Sequence, residues 1–409
     1  MKLILKLAWR NIWRNKRRSM LTLAAISFAT FASIAMRGMQ HGTYAVNIQN
    51  AVQIYSGFLQ IQRPGYLKSP SLNKSFGNYK TIENKLNQLR IVKGFTPRIY
   101  ADGLISFKDN SFGAGIFGID PATEKNVTTF MDRINSGKFF VSDTSNEIVV
   151  GYKLLENLKA KIGDDVVILS QGADGSMGNL KFKIIGTIKT GSTELDAMGV
   201  YMGLKKADEL LAMYGRINYI AISLNSLDDL NEAKDQIKNK LAGNNLDVLT
   251  WDEIMPDFKQ TIELDNVSGI LYLSILVIIV AFGILNTVLM SVTERFNEFG
   301  ITLSIGMPQL KLVLLVLIET VFITFIGLII GNIIGYGINS YFIAHPIQFA
   351  GDLAQMYEEY GFLPQMVSSL LPSMFFNTSL TILISAIVSC IYPLYKVFKL
   401  EPLKGIRYT

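Results

Sequence analysis

Between Val277 and Gly335 a few polar and charged side chains sit inside and between two long apolar runs. Asn286 stands in the first run and Glu319 in the second; Glu294, Arg295 and Glu298 occupy the short stretch between them, with Lys311 just beyond. Groups of this kind can form ion pairs and hydrogen bonds. Arg295 and Glu298 lie one helical turn apart, so they can pair with each other or with charges on another chain. Glu319 lies about 15 Å along a helix from Leu310, at about 1.5 Å per residue. A carboxylate that deep in a bilayer is costly and needs a partner. The sequence offers a polar neighbour such as Asn286, or a basic group near the inner face. Gly327, Gly331 and Gly335 recur every fourth residue, a spacing that lets two helices approach closely in lipid. Gly300 and Gly306 are expected to give the charged stretch its sharp exits.

Bond-making chemistry finds no residues to stand on. The sequence has no G-x-x-x-x-G-K-[ST] phosphate loop. His41 and His345 are far apart, without ligand spacing, and the single cysteine, Cys390, sits in an apolar run. Ser170–Gly178 (SQGADGSMG) is glycine-rich but flanked by strand patterns, so it reads as a hairpin loop. No catalytic residue, cofactor or metal is expected within the chain.

Four segments are long and apolar enough for a bilayer core about 30 Å thick: Met20–Met39, Val267–Val292, Leu310–Phe342 and Met374–Val397. Lys2, Lys6, Arg10, Arg14, Lys16, Arg17 and Arg18 precede the first, and Lys396, Lys399, Lys404 and Arg407 close the last. The positive-inside rule then places both ends in the cytoplasm. The net charge of +6 reads as a topological signal, not a nucleic-acid footprint. Trp9, Ile12 and Trp13 recur at near-helical spacing among the basic residues, as in an amphipathic helix on the inner leaflet. An uncleaved anchor is expected, despite the small-residue run Ala32-Ser33-Ile34-Ala35.

More than two hundred residues of ordinary soluble composition separate the first and second spans, on the outer side. Strand patterns mark Ser56–Gln62, Gly113–Ile119, Glu147–Val150, Asp165–Leu169 and Lys181–Ile188. Helical patterns mark Lys80–Leu89, Lys153–Leu158, Lys205–Met213 and Leu227–Leu241. Asp252–Glu263 is expected to form a helix continuous with the second span. The loop Ala344–Pro372 is expected to hold little regular structure. The fold class is an α-helical membrane protein with four transmembrane helices and a large α+β extracytoplasmic domain between helices 1 and 2. The expected divisions are an amphipathic helix over 1–19, transmembrane helices over 20–42, 265–293, 310–343 and 374–397, and an outer domain over 43–264. A cytoplasmic coupling helix is expected over 294–309, an outer loop over 344–373 and a cytoplasmic tail over 398–409.

The central run resembles the FtsX-like permease module of ABC transporters, of the MacB and Lol lipoprotein-releasing type. The residues that carry the likeness are Asn286, Thr293-Glu294-Arg295, Glu298, Gly300, Gly306, Glu319 and the ladder Gly327, Gly331 and Gly335. The tail Tyr392–Tyr408 and the N-terminal WRNIWRNKRRSMLTL resemble the family's ends, and Asn146–Ser170 with Ile184–Leu211 is similar to the periplasmic domain of Lol-type permeases. The chain departs from the family pattern at Phe299, Thr302 and Glu401.

The resemblance implies mechanotransmission. A separate cytoplasmic ATPase dimer, which holds the ATP and Mg, seats the coupling residues Glu294, Arg295, Glu298, Gly300 and Gly306. Motion passes through the second span to the outer domain. It implies a second permease subunit, identical or related, in the cell inner membrane. In the Lol type the substrate is a lipoprotein leaving the outer leaflet for a periplasmic carrier, with Phe28, Phe31, Met36 and Met39 as acyl contacts. Two other roles come with the same machinery: MacB-like export of peptides or small molecules, and FtsX-like control of a cell-wall hydrolase.

Overall fold

The computed structural model describes residues 2–359 and 362–401. Residues 2–45, 261–348 and 365–401 form a helical unit, and Val46–Gln260 with Phe349–Pro364 form an α+β unit. Tail residues 402–409, including the last part of the stretch likened to the family's C-terminus, lie outside the described residues.

Four helices are long and apolar enough to cross a membrane: Lys16–Ala51, Pro256–Glu294, Gln309–Ala344 and Pro372–Phe398. They turn large apolar side chains such as Phe282, Phe325, Ile333 and Ile391 outward, as helices do when their outer face meets lipid. Their shared interior holds Ile284, Val288, Leu312, Val316, Ile382 and Cys390. The N-terminal amphipathic helix is shorter than expected. It ends at Arg14, and the first span begins at Lys16. It buries Ile4 and Ala8 against Leu315 of the third span, while Trp9 and Trp13 stay half exposed.

The glycine ladder packs within the chain. A Cβ at Gly327, Gly331 or Gly335 would lie 2.7 Å from Ile26 Cγ2, 2.5 Å from Thr30 Cβ or 2.8 Å from Ile34 Cγ2 of the first span. Both rows advance by four residues in the same sense, so the two helices run parallel. The row ends with roles reversed. Gly38 makes room for Asn339, whose Nδ2 donates to the Ile34 carbonyl at 3.1 Å.

The α+β unit carries a ten-stranded sheet. Its strands are β1 (Leu59–Gln62), β2 (Val92–Phe107), β3 (Asn110–Ile119), β4 (Ile134–Gly137), β5 (Glu147–Gly151), β6 (Asp165–Gln171), β7 (Met177–Ile188), β8 (Gly199–Gly203), β9 (Tyr219–Leu224) and β10 (Asp247–Thr250). The order runs β10-β1-β9-β2-β3-β8-β5-β7-β4, and β6 pairs with both β2 and β7. The pairings β2-β3-β8-β5-β7-β6-β2 therefore close into a ring whose six strands have no free edge, while β10 and β4 end the branches on either side. Ile105, Ile116, Ile148, Ile168, Phe182 and Val200 belong to its core. The long β2 serves two partners: its first half pairs with β9 and its second with β3 and β6. Gly103 is required where β6 crosses, because a Cβ there would lie 2.6 Å from the Leu169 carbonyl.

Three expectations are corrected. The first helix continues into a π turn at Val52–Ser56, so the first strand begins at Leu59 and not at Ser56. Asp252–Glu263 is not one helix. Trp251–Ile254, closed by the Thr250/Glu253 capping box, stops at Met255, because the residue before Pro256 is pushed out of the helical region. The loop after the third span is also more ordered than expected, with Ile347–Gln348 paired to Gln365–Met366 and a helix at Asp352–Glu359.

Candidate functional site: a charged elbow between the second and third spans

The second span ends at Glu294, and Arg295 leaves helical geometry as the cap of a short helix, Phe296–Ser304. Gly306 then turns with φ +101°, a conformation open mainly to glycine, and Pro308 leads into the third span. Gly300 plays a different part from the exit expected of it. It lies buried inside the short helix, where its carbonyl accepts the Ser304 hydroxyl at 3.0 Å. The helix buries Phe296, Phe299 and Gly300 and leaves Ile301 49% and Ile305 82% exposed.

Arg295 is the hub. Its Nη1 donates to Glu319 Oε2 at 2.9 Å and Oε1 at 3.1 Å, and its Nε to Glu298 Oε2 at 3.4 Å. The guanidinium also lies 4.9 Å from the centre of the Phe299 ring, a cation–π distance. Arg295 and Glu319 are both more than nine-tenths buried, so their charges must satisfy each other. Glu319 therefore has a basic partner, and Asn286 is exposed elsewhere on the second span.

The cluster reaches beyond the expected residues. Asn11 Nδ2 donates to Glu319 Oε1 at 2.6 Å, Arg14 Nη2 to Glu298 Oε2 at 3.0 Å, and Arg18 Nη2 to Glu294 Oε2 at 2.7 Å. The elbow is thus bonded to the N-terminal helix, to the start of the first span and to the third span. These partners had a sequence signal. Asn11, Arg14 and Arg18 recur at intervals of three and four residues, beside the apolar face made by Ile4, Ala8 and Ile12. Beside Glu319 a cavity of about 60 Å³ is lined in part by Thr22, Thr287, Ser291 and Thr320, from three spans. Hydroxyls on facing helices can exchange hydrogen bonds when the helices shift.

Phe28, Phe31, Met36 and Met39 lie elsewhere along the first span. Phe28 is exposed and meets Phe31 edge to face at 5.3 Å, while Met36 and Met39 are half-buried. Among the described residues, no group of three or more His, Cys, Asp or Glu side chains could hold a metal.

The described residues thus give four helices long and apolar enough to cross a membrane, an α+β unit between the first and second in sequence, and a charged elbow between the second and third. The family described as MacB-like periplasmic core domain matches residues 19–240, and FtsX-like permease C-terminal matches residues 270–402. The chain belongs to the FtsX-like and MacB-like ABC transporter permeases. It is 21% identical to an ABC transporter permease of Methanocaldococcus jannaschii, over 81% of this chain and 82% of that one. It is 22% identical to the lipoprotein-releasing system transmembrane protein LolC of Neisseria meningitidis, over 76% and 77% of the two chains. Against the macrolide export ATP-binding/permease protein MacB of Acinetobacter baylyi identity is 21% over 79% of this chain, which spans about half (49%) of that protein. The solved periplasmic region of MacB from Actinobacillus actinomycetemcomitans is 16% identical, covers 53% of this chain and 98% of that one, and gives a TM-score of 0.37.

Proposed function

We propose that this chain is the membrane subunit that carries the motion of a separate cytoplasmic ATPase dimer to the α+β unit, and that its cargo is a lipoprotein drawn from the inner membrane. The observation that carries the coupling role is the elbow. A short helix with Glu298, Ile301 and Ile305 exposed is tied through Arg295 and Glu319 to the third span. A partner that displaces this helix must move Arg295, and with it the groups bonded to Glu319. ATP and Mg belong to the partner, and this chain does no chemistry of its own. Both ends of the chain lie in the cytoplasm and the α+β unit in the periplasm, as the basic flanks require. A second permease subunit completes the complex.

For the cargo, the lipoprotein-releasing protein is matched over 77% of its length, as a permease paired with a separate ATPase would be, whereas the macrolide exporter, which is an ATP-binding/permease protein, is matched over 49%. A periplasmic carrier would then receive the lipoprotein. The test is to purify the complex with its ATPase in nanodiscs and identify what accompanies it. A triacylated lipoprotein is expected. An outer-membrane channel with its adaptor, or a cell-wall hydrolase, would overturn the cargo assignment and leave the coupling role to be judged on its own.

A further inference from the structure

In the helical unit a groove of about 550 Å³ opens between the first, second and fourth spans, a volume within the roughly 300–1,000 Å³ of small-molecule sites. Its depth can be read along the helices. At about 1.5 Å per residue, Arg37 lies ~28 Å from Arg18, and Asn377 ~28 Å from Lys396. Across a hydrocarbon core about 30 Å thick, both stand at the membrane surface opposite the charged elbow. Ser33 and Ile382 lie only about 21–22 Å from the same reference residues, and Val277 ~25 Å from Glu294. The charged and polar groups Arg37, His41 and Asn377 stand at the mouth, next to apolar Leu273 and Met374, and Val277, Ile278 and Ile382 line the wall below. A charged mouth over an apolar wall suits an amphiphile of that leaflet.

Two observations point to a ligand. Arg37 Nη1 donates to neutral oxygens, Gln40 Oε1 at 2.7 Å and Asn266 Oδ1 at 2.9 Å, whereas the neighbouring Asp265 carboxylate is taken up by Tyr44 and Gln40. A guanidinium at the membrane surface attracts an anion, and its planar fork suits a phosphate. Ser33, on the groove wall one helical turn deeper, is 2% exposed, and its Oγ has no hydrogen-bond partner among the described residues. A buried hydroxyl is costly until something accepts its proton. In a glycerophospholipid the next polar group beneath the phosphate is an ester carbonyl.

We propose that the groove holds one glycerophospholipid. Its phosphate lies on Arg37, an ester carbonyl accepts from Ser33, Val277 and Ile278 wall the glycerol region, and one acyl chain leaves past Ile382. The site lies within a single chain, and Phe28, Phe31, Met36 and Met39 do not line it.

The test is native mass spectrometry of the full chain, delipidated in detergent and offered phosphatidylglycerol, diacylglycerol or a triacylated cysteine lipopeptide. One phosphatidylglycerol per chain is expected, retained at least tenfold better than diacylglycerol, and lost in Arg37→Gln but kept in Arg37→Lys. If Arg37→Gln fails to fold, Val277→Trp fills the groove beneath its mouth, on a different helix from Arg37 and Ser33, and should also expel the lipid. Equal retention of diacylglycerol, preference for the lipopeptide, or full retention by Arg37→Gln or Val277→Trp would overturn the proposal.

Discussion

Among the described residues each unit contains a buried arginine–glutamate pair, and the two pairs are built differently. In the α+β unit Arg98 Nε donates to Glu124 Oε2 at 3.1 Å, while Arg98 Nη2 and the Thr128 hydroxyl hold Glu124 Oε1. Both side chains are almost wholly sealed, at 4% and 0% exposure. Burial alone would lower the Arg98 pKa, yet Glu124 and Tyr219 hold it above its ordinary value. Every partner lies in the core, so the pair fixes how β2 meets the helix Pro121–Glu124. The elbow pair has a buried centre, Arg295–Glu319, and arms that reach the surface. Glu298 is 52% exposed and Glu294 42% exposed, each on an arginine of the N-terminal region. A sealed pair can only specify a fold. A buried pair with exposed arms can also pass a displacement inward.

This contrast can be broken most forcefully at the sealed pair. Glu124→Ala leaves a buried guanidinium without its carboxylate and should destabilise the α+β unit by about 3–5 kcal/mol. Thermal melting of the whole chain in detergent would show it, and a loss below about 1 kcal/mol, typical of exposed pairs, would erase the distinction. Glu319→Ala should cost less, about 3 kcal/mol, the lower end for a broken buried pair, because Arg295 keeps Glu298. Equal melting losses for the two variants would contradict the difference in design.

The smallest effect is expected at a carboxylate with no buried partner. Asp174, at the hairpin between β6 and β7, accepts from the Ser176 hydroxyl at 2.6 Å, the Ser176 N–H at 2.9 Å and the Tyr214 hydroxyl at 2.9 Å. These bonds, Ser176 first, lower its pKa to about 2. The depressed pKa keeps the carboxylate ionised, so its bonds to Ser176 and Tyr214 are complete above the ordinary value of about 3.9 and are lost as pH falls through about 2. Asp174→Asn should leave the melting temperature unchanged and remove the pH 4-to-2 change in Tyr214 seen by NMR. A shift in melting would show that the hairpin bears on the fold.

Much of the helical unit was legible because the signal is local. Each span is a long apolar helix, and Gly327, Gly331 and Gly335 mark a close-packed face by spacing alone. What packs against that face, the row Ile26, Thr30 and Ile34, needed the fold. The α+β unit was less legible. β2 is broken as a pattern by Gly94, Pro97 and Gly103, and its strand geometry comes from β9, β3 and β6, partners distant in sequence. Ring closure through β6 has no local signature. At the elbow, Glu294, Arg295, Glu298 and Glu319 stood out as charges in apolar surroundings. Asn11, Arg14 and Arg18 did not, because a basic N-terminus is already explained by topology, and that reading hides a second use for the same residues.

The coupling role rests on Glu298, an exposed arm that stability does not need. Loss of an exposed ion pair costs about 1 kcal/mol or less, so Glu298→Ala should fold and melt like the parent chain. The decisive measurement is ATP-driven activity of the complex assembled from this variant and its ATPase. A fall of about tenfold, equivalent to about 1.4 kcal/mol of lost coupling, is expected with the chain otherwise intact. Unchanged assembly together with unchanged ATP-driven activity would contradict the elbow's role.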